Sequence, residues 1–352
     1  MSAASPFPTV EAGAGRLHAW LRAHMEGFDG GLQLDRLRGG RSNPGWRLRS
    51  ASRDCVLRAR PGPRAQLLPS AHAIEREFRV QRALAGSGVP VPAVHALCED
   101  ETVIGAGFYV MDFVDGDIFR EQSLPGLSPD ARGARYDAMN AAIATLHMVD
   151  VDALGLGDYG RGGSYFERQI ARWTRQYAAS RDGDVPAMER LIAWLPAHVP
   201  REDDEPVVLV HGDFRIDNLV FARDEPRLLA VLDWELSTLG HPLADLGYHV
   251  MSWHIAPDFL AGLGGLDLDA LGIPGEDDYV RAYERRTGSS VGGHWDFCLA
   301  YNLFRLAAIL QGVAARARAG MATDPDALRF GAQVPMLAEL GWRFAQRAGS
   351  GA

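Results

Sequence analysis

The order of the predicted elements constrains the fold of this chain more than any single motif does. Alternating apolar residues predict five short strands in the first third, and helical spacing dominates after residue 128 except for a compact β-rich island. Elements that are segregated in this way, rather than alternating, predict an α+β fold. The predicted strands lie at residues 33–37, 46–49, 54–58, 94–99 and 108–113, and in the island at 207–210, 218–221 and 228–232.

A boundary between two lobes is predicted near Gly116, where the strand-like segments of the first third end. With 352 residues, the chain is too long for one simple core and suits two lobes of about 100–200 residues each. We therefore predict a small β-rich lobe at residues 1–115 and a larger helical lobe at residues 116–352. The predicted helices lie at residues 16–28, 71–84, 130–148, 165–179, 187–195, 277–287, 294–318 and 326–346.

Composition narrows the class of protein. The chain has a net charge of −9 and no basic block, which argues against a nucleic-acid partner. No apolar run approaches the roughly 20 residues of a membrane helix, and the N-terminus has no signal-like segment, so a cytoplasmic protein with no membrane partner is expected. Cys55, Cys98 and Cys298 are far apart, which predicts three reduced, buried thiols, since a zinc cluster would need closer pairs.

The chain contains no lysine, so all 36 of its basic residues other than histidine are arginines. This composition excludes a Schiff-base lysine, a pyridoxal enzyme and the Walker phosphate loop, which requires a Gly-Lys pair. Any cationic role in catalysis must therefore belong to an arginine.

The segment His211-Gly212-Asp213-Phe214-Arg215-Ile216-Asp217-Asn218 lies between two predicted strands and is expected to be a rigid loop. Phosphoryl transfer needs a carboxylate that orients and deprotonates an alcohol, and oxygen ligands that hold magnesium across the phosphates. Asp213 and Asn218 supply both groups from one loop. Asp233, at the end of the next predicted strand, supplies a second oxygen ligand, and hard oxygen ligands suit Mg²⁺.

These residues resemble the aminoglycoside phosphotransferase and choline kinase-like family, whose catalytic loop reads His-Gly-Asp, four residues, then Asn. The resemblance extends over nearly the whole chain and is closest to the branch found beside, or fused to, acyl-CoA dehydrogenases. It implies a protein-kinase-like two-lobed fold, with ATP and Mg²⁺ as cofactors and a small-molecule hydroxyl as acceptor. The matching phrases include Gly39-Gly40-Arg41-Ser42-Asn43, Val56-Leu57-Arg58, Ser70-Ala71-His72, Arg76-Glu77, Val89-Pro90-Val91-Pro92 and residues 230–240.

The resemblance implies roles for individual residues. Asp213 matches the catalytic base, and Asn218 and Asp233 match the magnesium ligands. Arg58 stands where the family has a phosphate-binding lysine, and Glu77 matches that residue's partner on the helix. Glu75 competes with Glu77 for this ion pair, but it lies on another face of the same helix.

Further assignments rest on position in the family pattern. Asp245 matches the carboxylate that braces the catalytic loop, and His211 is expected to hold that loop rather than to act as a base. Arg215 is a candidate contact of the γ-phosphate or a partner of Asp217 or Asp245, and Glu235 is a candidate third metal ligand. Predicted contacts of the nucleotide are Gly40, Ser42, Asn43, Met111 and Phe113, with an ordinary turn and core packing as alternatives.

The predicted reaction transfers the γ-phosphoryl group of ATP to a small-molecule alcohol, possible acceptors being a hydroxyacyl-CoA, a related hydroxy acid or an aminoglycoside. One alternative is a pseudokinase-like binding module. Another is a protein kinase, but the absence of Asp-Phe-Gly and Ala-Pro-Glu segments disfavours it. The acceptor site is expected on helices of the larger lobe, where plain core or surface roles compete for each candidate residue. The candidates are Tyr165, Arg168, Trp173, Tyr301 and Arg305.

Overall fold

The computed structural model describes residues 10–37, 43–61, 73–200, 207–320 and 326–350. The chain forms two compact units, each built from several segments. Unit 1 contains residues 1–118, 152–156 and 217–237, and unit 2 contains residues 119–151, 157–216 and 238–352. Ile118 lies close to the predicted boundary after residue 115, and the lobe division itself stays a prediction. The structure adds that most of the β-rich island packs with unit 1.

Unit 1 is organised around a five-stranded antiparallel sheet with strand order β1-β2-β3-β5-β4. The central strand β3 buries Cys55, Val56 and Leu57 in succession, as expected for a strand that is covered on both faces. The strands are β1 (Gln33–Arg36), β2 (Gly45–Arg49), β3 (Asp54–Ala59), β4 (Val94–Cys98) and β5 (Phe108–Asp112).

One helix packs on each face of this sheet. Helix α1 (Ala14–His24) buries Leu17 and Leu21 in a core with Trp46 and Leu57. Helix α2 (Ile74–Leu84) covers the other face, where Ile74 packs in a cluster with Val56, Tyr109 and Met111. The sheet therefore fixes the position of α2 relative to β3, the strand that carries Arg58.

The hairpin of β7 (Leu219–Phe221) and β8 (Leu228–Val231) also belongs to unit 1. Phe221 pairs with Asp117, and a Cβ atom at Gly116 would lie 2.3 Å from the Phe221 carbonyl oxygen. Only glycine fits at this close approach of two backbones. The contact joins the hairpin to the segment that leaves the five-stranded sheet.

Unit 2 is mainly helical and is built around the long, buried helix α9 (Trp295–Arg318). A two-stranded sheet of β6 (Val208–Val210) and β9 (Thr238–Gly240) presents the loop that begins at His211. The other helices are α3 (Pro129–His147), α4 (Tyr165–Ser180), α5 (Pro186–Trp194), α6 (Pro242–Val250), α7 (Leu268–Leu271), α8 (Glu276–Thr287), α10 (Ala327–Gly331) and α11 (Val334–Ser350).

The predicted strands are all present and the α+β class is confirmed, but three expectations about helices were wrong. The single helix expected at residues 326–346 is two helices, because the ring of Pro335 is incompatible with a helix that continues from Gly331. Helix α6 was not among the predicted helices; it is only nine residues long, and every one of them is buried.

The third correction concerns long apolar runs. The segment Gly292–Arg318 has a mean hydropathy of 1.4 over 18 residues and is long and apolar enough to cross a membrane. However, 89% of that window is buried inside the protein, as in the central helix of a packed bundle. The three cysteines are free and buried, as predicted.

Candidate active site

A buried group of charges in unit 1 surrounds Arg58, near the end of β3. Its Nε lies 2.8 Å from Glu77 Oε2 on α2, one of its terminal nitrogens contacts Asp233 Oδ1, and Glu235 Oε2 lies 3.8 Å away. The side chain of Arg58 is 14% exposed and that of Glu77 only 1%. Burial alone would lower the pKa of Arg58, but the carboxylates of Glu77 and Asp233 hold it well above its usual value.

The predicted ion pair between Arg58 and Glu77 is confirmed, and Glu77 is held by further hydrogen bonds. Asn43 Nδ2 donates to Glu77 Oε1 at 2.5 Å, and the Tyr109 hydroxyl donates to Oε2 at 3.1 Å. Burial raises the pKa of Glu77, while Arg58 and these hydrogen bonds oppose that shift. The competing residue Glu75 pairs with Arg60 instead.

Asn218 and Asp233 lie at matching ends of the β7–β8 hairpin. Asn218 ends a short turn before β7, and its carbonyl oxygen accepts a hydrogen bond from Leu232, which directly follows β8, at 2.8 Å. Asp233 follows with φ of 66°, a left-handed conformation that is uncommon for a residue with a side chain. Such strained backbone often accompanies functional sites. Trp234 anchors the turn, since its Nε1 donates to the Val231 carbonyl at 2.9 Å.

The chemistry of this group fits a divalent cation. Three carboxylates, those of Glu77, Asp233 and Glu235, lie around the one guanidinium of Arg58. The side chains of Asp233 and Asn218 offer carboxylate and amide oxygens, the ligands that Mg²⁺ prefers. Glu235 contacts both Arg58 and Asn43, at 3.8 and 3.5 Å. These three side chains would hold the metal, and the metal would compensate the charge of phosphate oxygens.

Unit 2 holds the loop that begins at His211, and a buried carboxylate fixes its backbone. Asp245, on α6, accepts hydrogen bonds from His211 N at 2.7 Å and from Gly212 N at 2.8 Å. Burial would raise the pKa of Asp245, but His147 at 3.2 Å and the loop amides hold it below the usual value. The predicted bracing role of Asp245 is confirmed by these contacts.

The same loop determines the position of Asp213. Gly212 has φ of 81°, a left-handed conformation that favours glycine, and the buried His211 accepts a hydrogen bond from Asp213 N at 3.2 Å. The imidazole is therefore bonded to the loop itself, which agrees with a structural role. The side chain of Asp213 remains 22% exposed, and Arg215 Nε lies 3.6 Å from Asp213 Oδ1. The carboxylate beside Arg215 is therefore that of Asp213, which was not one of the predicted partners, and the contact of Arg215 with the γ-phosphate stays a prediction.

Two further residues lie beside this loop. Arg305, on α9, donates to the Gly212 carbonyl oxygen at 2.5 Å, and its guanidinium lies 4.7 Å from the centre of the Tyr248 ring. Burial raises the pKa of Tyr248, and the Asp213 carboxylate raises it further. Tyr248 was missed in the sequence because it lies on the unpredicted α6, and no motif marks it.

The remaining predicted nucleotide contacts are dispersed. Gly40 and Ser42 lie outside the described residues. Asn43 is buried and its amide is engaged by Glu77. Met111 is 8% exposed in the core cluster beneath α2, and the Phe113 ring lies 3.7 Å from the Arg47 guanidinium. Their roles toward a nucleotide stay predictions.

Among the acceptor-site candidates, the structure separates a buried group from one exposed residue. Arg168 donates to the backbone oxygens of Arg161 and Gly163 at the surface. The buried candidates are Tyr165, Trp173, Tyr301 and Arg305, which lie on α4 and α9.

A separate cluster in unit 1 joins Cys55, His95 and Asp112, whose potential ligand atoms all lie within 4.8 Å of one another. Spacing in the sequence gave no sign of this cluster, because three different strands contribute. Burial raises the pKa of the Cys55 thiol to about 11, and His95 is already bonded to Asp112 at 2.6 Å. A protonated thiol is a poor metal ligand.

The fold and the two groups of residues define a kinase-like phosphotransferase. The family model described as "Phosphotransferase enzyme family" matches residues 33–296. The chain belongs to this family.

Relatives and solved structures agree with this assignment. The chain is 46% identical to mouse acyl-CoA dehydrogenase family member 10 and 42% identical to human family member 11, over 95% and 94% of its length. It spans only 31% and 43% of those proteins. A solved protein from Ralstonia eutropha, whose assignment as an aminoglycoside phosphotransferase is provisional, is 51% identical, with a TM-score of 0.87 over 95% of this chain and 98% of that one.

More distant solved structures share the fold alone. Aminoglycoside phosphotransferase APH(4)-Ia, in a ternary complex with AMP-PNP and hygromycin B, is 17% identical with a TM-score of 0.61, over 92% of this chain and 97% of that one. Plasmodium vivax ethanolamine kinase is 13% identical with a TM-score of 0.55, over 89% and 83% of the two chains.

Proposed function

We propose that this protein is an ATP-dependent kinase that transfers the γ-phosphoryl group to a hydroxyl of a small molecule. The observation that carries the proposal is the buried contact of Arg58 with both Glu77 and Asp233. One guanidinium links the helix partner expected for a phosphate-binding cation to the carboxylate expected to hold magnesium. The carboxylates of Asp233 and Glu235 stand beside this pair, and carboxylate oxygens are ligands that Mg²⁺ prefers.

Each unit contributes a part of the proposed reaction. In unit 1, Arg58 contacts the α- or β-phosphate, while Asn218, Asp233 and Glu235 hold Mg²⁺, which neutralises phosphate charge when bound. In unit 2, Asp213 orients the acceptor hydroxyl and accepts its proton. Its partial exposure leaves the carboxylate accessible to an alcohol, and Asp245 and His211 keep the loop in one conformation.

For the acceptor, we propose a hydroxyacyl-CoA or a related hydroxy acid. The proposal is supported by the relatives, whose names include acyl-CoA dehydrogenase and which this chain matches over a part of their length. An aminoglycoside is the second candidate, favoured by the assignment of the Ralstonia eutropha protein. A cytoplasmic location remains a prediction.

The test has two stages. Calorimetric titration of the purified protein with ATP, with and without Mg²⁺, measures nucleotide binding. Incubation with ATP and a panel of hydroxylated metabolites, hydroxyacyl-CoAs and aminoglycosides, followed by mass spectrometry, detects transfer as a phosphate mass shift. Absence of nucleotide binding would refute the kinase proposal. Nucleotide binding without transfer to any member of the panel would favour the pseudokinase-like alternative.

A further inference from the structure

A pair of arginines in unit 2 lies beside the loop that carries Asp213. Arg172 on α4 and Arg305 on α9 approach the same indole, with guanidinium carbons 5.0 and 5.6 Å from the centre of the Trp173 ring. Throughout the described part of the chain, neither arginine forms an ion pair with a carboxylate. Two like charges are thus brought together without a counter-ion from the protein.

Arg305 is the more deeply buried of the two and is only 5% exposed. One of its terminal nitrogens donates to the Gly212 carbonyl oxygen at 2.5 Å, which fixes its position next to the loop. Its Nε is buried and has no hydrogen-bond partner. A buried donor without an acceptor on a charged group carries a substantial desolvation penalty.

Burial alone would lower the pKa of Arg305, but the hydroxyl groups of Tyr301, Tyr165 and Tyr248 and the carboxylate of Asp213 hold it above its usual value. None of these groups accepts a hydrogen bond from the buried Nε. Burial lowers the pKa of Arg172, and the neighbouring charge of Arg305 lowers it further. An anion that bound both guanidinium groups would give the free donor a partner and relieve their mutual repulsion.

We propose that Arg172 and Arg305 bind an anionic group of the acceptor, so that the substrate is a negatively charged alcohol rather than a polycation. The inference rests on the proposed function of the Asp213 loop and deepens it. Arg305 also acts as a positioning residue through its bond to Gly212. A cationic aminoglycoside would meet two positive charges here, and like-charge juxtaposition selects strongly against a ligand. The negative charge comes either from a carboxylate of a free hydroxy acid or from the phosphates of a CoA thioester.

The test compares short linear hydroxy acids with their neutral methyl esters and their CoA thioesters, in the full chain with ATP and Mg²⁺. We expect kcat/KM to be at least about tenfold higher for the charged acceptors than for the esters, a difference typical of one charge-assisted contact. The thioester arm identifies the source of the charge. If the free acids are preferred, a carboxylate is bound; if the thioesters are preferred, the CoA phosphates are bound.

Arg172→Met is the informative variant, because Arg172 is only half-buried and its removal leaves the Arg305–Gly212 contact in place. The variant should lose roughly tenfold or more in kcat/KM for charged acceptors, mainly through KM, and little for the esters. Arg175→Met, on the exposed side of the same helix, is the matched control and should behave as wild type. Equal use of esters and charged acceptors, or unchanged selectivity in Arg172→Met, would overturn the inference.

A binding measurement separates this inference from the proposed function. If the protein phosphorylates none of these acceptors, calorimetric titration with the free hydroxy acids and the CoA thioesters still reports on the arginine pair. Binding by wild type that weakens about tenfold in Arg172→Met and not in Arg175→Met would support the anion site even though the kinase proposal had failed. Absence of binding, or equal binding by Arg172→Met, would overturn the inference.

Discussion

The two units surround their buried arginines with different groups. In unit 1, Arg58 faces the three carboxylates of Glu77, Asp233 and Glu235. In unit 2, Arg172 and Arg305 lie together without a carboxylate partner among the described residues. The first group is rich in carboxylates and suits a metal cation with its phosphates, while the second presents two guanidinium groups and suits an anion. Because a buried charge is costly without compensation, the predominant charge of each group indicates what it binds.

The largest effect is expected when the proposed base is removed without disturbing either group of arginines. Asp213→Asn should lower turnover by about two to four orders of magnitude, because the amide cannot accept the proton of the acceptor hydroxyl. Nucleotide binding, measured by calorimetry, should stay close to wild type, since the proposed metal ligands belong to the other unit. Near-normal turnover of this variant with the true acceptor would rule out Asp213 as the base.

Asp233→Ala removes one carboxylate from the group in unit 1 and so tests whether that group binds a metal ion. We expect loss of magnesium-dependent ATP binding, because the metal loses a ligand and the triphosphate charge is left uncompensated. Calorimetry with ATP, with and without Mg²⁺, measures the effect. An unchanged dependence on Mg²⁺ would show that Asp233 holds Arg58 and nothing else.

Arg58→Ala breaks the buried ion pair from the cationic side. It should cost about 3–5 kcal/mol in the free energy of unfolding, because Glu77 is left buried without its partner, and it should raise the KM for ATP. Arg58→Lys should retain part of both, since lysine keeps the charge but not the planar fork. Urea unfolding and initial-rate kinetics give the two readouts. If the variants retain the wild-type KM for ATP, the nucleotide anchor lies elsewhere.

The smallest effect separates the two glutamates of α2. Glu75 pairs with Arg60 at a partly exposed position, so Glu75→Gln should change the free energy of unfolding by about 0–1 kcal/mol. Glu77→Gln should cost more, since it removes the buried partner of Arg58. Urea unfolding of both variants under identical conditions compares them. Equal costs would contradict the distinction between the two positions.

Much of the site was predictable from local sequence. The spacing of Asp213, Asn218 and Asp233 between short apolar runs indicated a loop and a hairpin with oxygen ligands. The absence of lysine left arginine for any cationic role, and the family resemblance implied Arg58. These features are short-range, so turn chemistry and alternation of apolar residues are enough to predict them. The pairing of Arg58 with Glu77 followed because α2 must cover the sheet to bury its apolar residues.

Other features required the tertiary structure. Helix α6, which carries Asp245 and Tyr248, is nine residues long and buried throughout, and the packing that places Tyr248 near Asp213 is visible only in the tertiary structure. The family pattern favoured Glu77 over Glu75, and the packing of α2 on β3 shows that Glu75 pairs with Arg60 instead. The proximity of Arg172 to Arg305 depended on how α4 crosses α9, across more than a hundred residues of chain. Sequence therefore determined which residues carry the chemistry of the catalytic loop, whereas packing between distant elements decided which charges are compensated and which are left for a ligand.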